Sequence, residues 1–174
     1  MTVTLVDLDD LKAEVKAAWA ELEAPPVQDM AIMNWEYGED AVHTFVGVRP
    51  VDVDINSAGF MAATPLLDLP AHAAAAYLGP YLTSLLEGIQ IEEAVGFPID
   101  IKTRTHTIFA MASPSFWTDI ASPHLSDTCV SVLGKVAHFI IEHGDVFLFS
   151  EEEARGLERL LRSVDRRLNP SWTR

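Results

Sequence analysis

Residues 97–111, FPIDIKTRTHTIFAM, alternate apolar or β-branched side chains with polar ones. This period of two is typical of a β-strand with one buried face. A single strand of that length would be unusual, so we expect two strands joined by a tight turn near Arg104. Lys102, Arg104 and His106 would project from the polar face, where they would either pair with acids of a neighbouring strand or form a small anion-binding site.

The sequence preceding this region predicts three more strands. Residues 29–37 and 41–49 are short β-prone runs separated by turn residues, which indicates an antiparallel hairpin. Residues 51–56 alternate apolar and polar side chains and predict a third strand. Its polar face carries Asp52 and Asp54, which are the acids expected to pair with the basic residues named above.

Helical periodicity marks three other parts of the chain. Residues 7–23 carry apolar side chains at steps of three and four and end before a Pro-Pro pair. A second helix is predicted from an N-cap at Ser126 to His143, and a third from a capping box formed by Ser150 and Glu153 to about Leu168. A short strand, residues 146–149, is predicted between these two helices.

Residues 69–86 contain no Asp, Glu, Lys or Arg and approach the length that spans a bilayer. The run is rich in alanine rather than leucine, and Gly79-Pro80 in its middle would break a helix. We therefore predict a pair of short buried helices here and no membrane span.

These elements together predict a single α+β domain spanning residues 1–174. Its twisted, mainly antiparallel sheet of about five strands would be flanked by helices. The first helix would occupy residues 1–25, and residues 145–174 would add a strand and a helix at the C-terminal end.

Acidic residues are concentrated in the first part of the chain. Residues 1–101 contain seventeen acids and three bases, a formal charge of −14, whereas residues 102–174 are neutral. A field of this sign repels nucleic acid and anionic membranes and favours basic or cationic partners. The single cysteine, Cys129, excludes an internal disulfide, and the start of the chain has no signal-peptide pattern. We therefore expect a cytoplasmic protein.

The run GFMAATPLLDLP at residues 59–70, followed by YLTSLLEG at residues 81–88, carries a family resemblance. Together with the predicted element order, it resembles the class I type III secretion chaperones and the YbjN-like proteins that share their fold. In these families an apolar strand ends in a turn of small residues and proline, and a helix with a Leu-Leu pair follows. The resemblance implies a twisted antiparallel sheet, a homodimer, and a non-enzymatic role in holding a segment of another protein.

The resulting hypothesis is a chaperone- or adaptor-like module that binds a basic or amphipathic segment of another protein and needs no cofactor. Aromatic and methionine side chains dominate such contacts, so the candidate apolar anchors are Trp35, Phe45, Phe60 and Met61. Asp52 and Asp54 would contribute charge. One alternative is an immunity-type inhibitor of a basic toxin or nuclease, which uses the same acidic surface.

A small enzyme using a cysteine or histidine is the second alternative. Cys129 lies in the first turn of a predicted helix, where the helix dipole favours a thiolate, but no catalytic-cysteine pattern surrounds it. His138, Glu142 and His143 differ in spacing from the inverted zincin pattern, so we predict no metal site. A buried, structural cysteine and a helix-terminal histidine are the expected roles.

Overall fold

The computed structural model of the chain describes residues 5–95, 101–144 and 149–170, with side chains for residues 8–89, 102–144 and 149–170. The α-helices, in chain order, are α1 (Leu5–Trp19), α2 (Glu39–Phe45), α3 (Ala58–Ala62), α4 (Ala71–Val95), α5 (Ile101–Ala112), α6 (Ser122–His124), α7 (Asp127–Glu142) and α8 (Glu151–Leu168). Single 3-10 turns occur at Val27–Met30, Pro50–Asp52 and Pro65–Leu67, and π-helical turns at Met33–Tyr37 and Phe116–Ala121. No strand is present in these ranges, so the fold is all-α and the predicted α+β class with its five-stranded sheet is wrong.

The five long helices pack in a closed ring. Helix α4 packs against α1 and α5, α5 packs against α8, α8 against α7, and α7 returns to α1. Each helix therefore buries one stripe against two neighbours, which is how an all-helical domain satisfies its apolar faces. Helix α1 shows the pattern directly: Leu8, Leu11, Val15 and Trp19 are buried at steps of three and four.

Residues 27–68, which we call the connecting segment, link α1 to α4 through short helices and turns and cover one face of α4. Two tyrosines of α4 hold it in place. The hydroxyl of Tyr77 donates to the carbonyls of Phe45 (2.5 Å) and Val48 (2.9 Å), and that of Tyr81 donates to the carbonyl of Ala63 (3.0 Å). Since buried carbonyls need donors, these bonds fix a segment that has little helix of its own.

The strands predicted in the connecting segment are helical turns because the buried residues recur at steps of three and four. In the first run Met30 and Met33 are buried while Trp35 is exposed, and in the second Ala41 and Phe45 are buried one turn apart in α2. Residues 51–56 form no sheet, and Val53 is the only one of their three apolar side chains that is buried.

The region 97–111 is also helical wherever it is described, from Ile101 onward, and residues 97–100 lie outside the described ranges. Its buried side chains include Arg104, Thr107, Ile108 and Met111, which share one helical face. The β-branched threonines at every second position favour a strand by local propensity, but packing of α5 between α4 and α8 overrides that preference.

The helix break predicted at Gly79-Pro80 does not occur. Instead, α4 continues through these residues as one helix of 25 residues. Proline lacks an N–H, so the carbonyl of Ala76 loses its intrahelical donor, yet the surrounding helices hold the backbone in place. Gly79 is required here because a β-carbon would lie 2.5 Å from Cγ of Trp19. Despite its length, α4 does not meet the requirements for a membrane span, and neither does any other described helix.

Three helix predictions are confirmed by the structure. The helix predicted at residues 7–23 is α1, which ends four residues earlier than predicted, at Trp19. Ser126 caps α7 by accepting a hydrogen bond from the backbone N–H of Cys129. Ser150 and Glu153 form the predicted capping box of α8. The strand predicted at residues 146–149 falls almost wholly on residues 145–148, which lie outside the described ranges.

Candidate protein-binding surface

The connecting segment is strongly acidic. Residues 27–68 contain seven acidic residues and one basic residue, Arg49, which gives a formal charge of −6. Arg49 is itself paired, with its Nε 2.9 Å from Oδ2 of Asp52, and both side chains are about half exposed. Arg49 is therefore paired with one carboxylate. The other basic partners of the segment's carboxylates among the described residues are two histidines, His43 at 3.6 Å from Glu39 and His72 at 3.0 Å from Asp29, so the segment keeps a net negative charge.

Exposed apolar side chains are concentrated in the same segment. Of the six large apolar side chains that are exposed in the described part of the chain, only Phe109 lies outside it. The other five are Val27, Trp35, Val51, Met61 and Leu67. Single exposed apolar residues are ordinary, but five within 42 residues of an acidic segment give a partner several apolar groups to contact there.

Trp35 is the most exposed of these side chains, with 82% of its surface accessible. The π-helical turn that carries it is fixed from both sides: Met33 is fully buried, and the hydroxyl of Tyr37 donates to the carboxylate of Asp68 and to the carbonyl of Thr64 (3.3 Å). Gly38 then adopts a φ of 83°, a left-handed conformation that suits glycine, and leads into α2. The indole is thus held outward by a structured turn.

The hydrogen bond between Tyr37 and Asp68 joins the turn of Trp35 to the turn that carries Leu67. Burial, followed by the hydrogen bond and the charge of Asp68, raises the pKa of Tyr37 to about 12. Tyr37 is therefore a permanent donor near neutral pH and acts as a clasp between residues 33–37 and 64–68.

The four predicted apolar anchors divide into two pairs. Trp35 and Met61 are exposed, the latter to 46%, and both are available to a partner. Phe45 and Phe60 are fully buried and stack with the rings of α4: the centroids of Phe60 and Tyr81 are 4.5 Å apart. This corrects the prediction for Phe45 and Phe60, which hold the connecting segment on the core by packing against the rings of Tyr77 and Tyr81.

Asp52 and Asp54 are exposed, so a partner could contact their carboxylates. Their expected pairing with Lys102, Arg104 and His106 does not occur, because the described residues contain no sheet that would align the two groups. Asp52 pairs with Arg49, as described above. Asp54 accepts a hydrogen bond from the backbone N–H of Asn56 at 3.0 Å and has no basic partner among the described residues.

Lys102, Arg104 and His106 do not converge on an anion-binding site. In a helix a step of two residues turns the side chain by roughly 200°, so Arg104 faces away from the other two. Arg104 is buried, and desolvation lowers its pKa. Lys102 is exposed and donates to the carbonyl of Ala62 at 2.9 Å. The three side chains were predicted to share one face because residues two positions apart point the same way in a strand, which they do not in a helix.

His106 is half-buried on the face of α5 nearest Asp68. Burial lowers its pKa, the charge of Asp68 opposes this shift, and Lys102 adds to it. Its Nε2 is buried without a hydrogen-bond partner among the described residues. A neutral imidazole beside the Tyr37 clasp follows from this environment.

Cys129 occupies a buried position between α7 and α1. The thiol is 1% exposed, and its sulfur donates to the carbonyl of Ala18 at 3.1 Å. His138 and Glu142 form an exposed pair one helical turn apart, 3.2 Å between Nε2 and Oε1. Across the described residues, no group of three or more His, Cys, Asp or Glu side chains is arranged to hold a metal ion.

Val27, Val51, Leu67 and the Tyr37 clasp were not predicted as parts of the surface. The sequence did contain one signal: on a single 3-10 turn the adjacent Leu66 and Leu67 point about 120° apart, so the two side chains face different directions. Leu66 is buried and Leu67 is 41% exposed. For Val27 and Val51 the sequence contains no comparable signal, because isolated valines occur equally in cores.

No model of a known protein family matches this chain, nor does any curated protein or solved structure. The twisted sheet that the resemblance to secretion chaperones implies is not found in the residues that the structure describes. The function is therefore inferred from the surface of this chain alone.

Proposed function

We propose that the protein is a non-enzymatic, chaperone- or adaptor-like module that holds a cationic, amphipathic segment of another protein on its connecting segment. The observation that carries the proposal is the outward-held Trp35, 82% exposed in an acidic setting. Tryptophan is the residue type most enriched among the side chains that dominate binding energy, and its exposure in a lone chain leaves a large apolar area in contact with water.

The charges around Trp35 favour a basic partner. Glu36, Glu39 and Asp40 follow it within five residues, all exposed, and the nearest lysine or arginine along the sequence is Arg49. A partner that places arginine or lysine near these carboxylates would be attracted at long range and aligned on contact. An amphipathic helix provides both features, since its apolar stripe can cover Trp35 while its basic flank faces the acids.

Site-directed photo-crosslinking tests this proposal directly. A benzoylphenylalanine at position 35 replaces one exposed aromatic side chain with another, so folding should be retained. The matched control carries the same group at position 109, where Phe109 is 55% exposed in the half of the chain that has no net charge. Both variants would be irradiated in lysate of the source cells, and the adducts identified by mass spectrometry.

We expect one protein to crosslink at position 35 through a basic segment and not at position 109. Replacing Glu36, Glu39 and Asp40 by their amides should abolish that adduct while leaving the circular dichroism spectrum unchanged, and raised salt should weaken it. Equal crosslinking at both positions, or an adduct indifferent to the charges, would contradict the proposal.

A further inference from the structure

A cavity of about 270 Å³ lies between α1, α4 and residues 50–56, away from Trp35. Its floor is formed where Gly79 and Pro80 of α4 meet the indole of Trp19. Its apolar walls are built from Val15, Val53 and Ile55, among other side chains. The volume is slightly smaller than that of typical small-ligand sites, so only a compact ligand would fit.

The floor of the cavity is rigid. Trp19 is 2% exposed, and its Nε1 donates to the carbonyl of Ala75 at 3.0 Å, which fixes the plane of the indole. Thr83, also buried, donates from its hydroxyl to the carbonyl of Gly79 at 3.0 Å. Because both polar groups of the floor are satisfied internally, the inner part of the cavity offers a ligand apolar contact.

The mouth of the cavity carries an excess of negative charge. Asp54 and Glu87 line it together with one base, Lys16. The ammonium of Lys16 is 4.0 Å from Glu87, a long ion pair in which Lys16 is 61% exposed. Asp54, by contrast, has no basic partner among the described residues, so one carboxylate at the mouth is available to a cation.

From this arrangement we propose that the cavity binds an alkylammonium group, with the aliphatic stem among Val15, Val53 and Pro80 and the ammonium between Asp54 and Glu87. The stem would replace water against the apolar side chains of the inner part, and the charge would stay at the polar, solvated mouth, as long cationic side chains do elsewhere in proteins. A free alkylamine or the side chain of a lysine carries this chemistry. If the ligand is a lysine of a partner protein, the inference rests on the function proposed above.

The experiment is a titration of the isotope-labelled protein followed by NMR, with butylammonium chloride as the probe. Sodium chloride at equal ionic strength controls for salt, and 1-butanol provides the same stem without charge. Nα-acetyl-lysine methylamide distinguishes the two sources: it binds only if the bulky end can remain outside the mouth. The reporters are the indole N–H of Trp19 and the backbone amides of Val53 and Thr83.

Two variants with opposite expected effects sharpen the test. Asp54→Asn removes the unpaired carboxylate and should weaken butylammonium binding by about threefold, the size of an exposed ion pair. Lys16→Gln removes the competing ammonium from Glu87 and should strengthen it by a similar factor. Asp119→Asn, an exposed acid elsewhere on the molecule, should leave the affinity unchanged.

Saturable shifts at the three reporters, with butanol binding more weakly and the variants moving the affinity in opposite directions, would support the inference. Equal binding of butanol, no effect of Asp54→Asn, or shifts spread over the whole acidic surface would overturn it. These readouts use the isolated protein and a small amine. A negative result would therefore reject the amine site without bearing on the crosslinking test of the proposed function at Trp35.

Discussion

The contact between Gly79 and Trp19 predicts a large loss of stability from the smallest possible substitution, Gly79→Ala. A β-carbon at this position would lie 2.5, 2.8 and 2.9 Å from Cγ, Cδ1 and Cβ of Trp19, far inside ordinary van der Waals contact. The indole cannot move aside freely, because it would have to give up its hydrogen bond to Ala75. The new methyl group must therefore displace α1 from α4.

The magnitude follows from two opposing terms. Overpacking a rigid core position costs roughly 1–3 kcal/mol, and the three simultaneous clashes place this case near 3 kcal/mol. Replacing glycine by alanine inside a helix returns about 1 kcal/mol. The expected net loss is about 2 kcal/mol, or roughly 4–8 °C in Tm for a domain of this size.

Gly88→Ala is the matched control on the same helix, since a β-carbon at Gly88 meets nothing within 4 Å. It should stabilise the protein by about 1 kcal/mol through helix propensity alone. Urea unfolding followed by circular dichroism measures both variants against the parent protein. If Gly79→Ala proved as stable as Gly88→Ala, the close packing of α1 on α4 described here would be refuted.

Three further predictions concern buried polar groups. Tyr77→Phe removes the hydroxyl that serves two backbone carbonyls in residues 45–48 and should cost about 1–2 kcal/mol in urea unfolding; an unchanged midpoint would contradict that role. Burial lowers the pKa of His106 below its usual 6.5, so protonation favours the unfolded chain and stability is lost as the pH falls through about 6.5. The variant His106→Asn should therefore lose less stability than the parent between pH 7.5 and pH 5.5, and equal losses would exclude this origin. The buried thiol of Cys129 should react with Ellman's reagent only after denaturation, and rapid labelling of the native protein would disprove its burial.

The helices with clear apolar stripes and caps could be predicted from the sequence. In α1 the apolar residues Leu8, Leu11 and Val15 recur at steps of three and four. The starts of α7 and α8 are marked by their N-cap residues, Ser126 and Ser150. In these regions local propensity, periodicity and capping agree, so tertiary packing has nothing to override.

The strand predictions failed where short apolar runs fit both periods. In α5 the threonines at positions 103, 105 and 107 mimic alternation, and only the partners α4 and α8 decide which face is buried. In the connecting segment, Phe45 and Phe60 could have been anchors or core, and the choice depends on Tyr77 and Tyr81 of a distant helix. Long-range packing of this kind leaves no local mark in the sequence.

The short elements of the connecting segment have a consequence for motion. None of its helices exceeds seven residues, which is too short for a helix to persist without tertiary support. Since the tyrosine hydroxyls and aromatic stacking on α4 provide that support, we expect the segment to open before the ring of long helices unfolds. Its amides should then exchange with solvent through a local opening far below the global unfolding energy. A bound partner would slow exchange at the amides of this segment more than elsewhere, because binding of the partner and closure of the segment would be thermodynamically coupled.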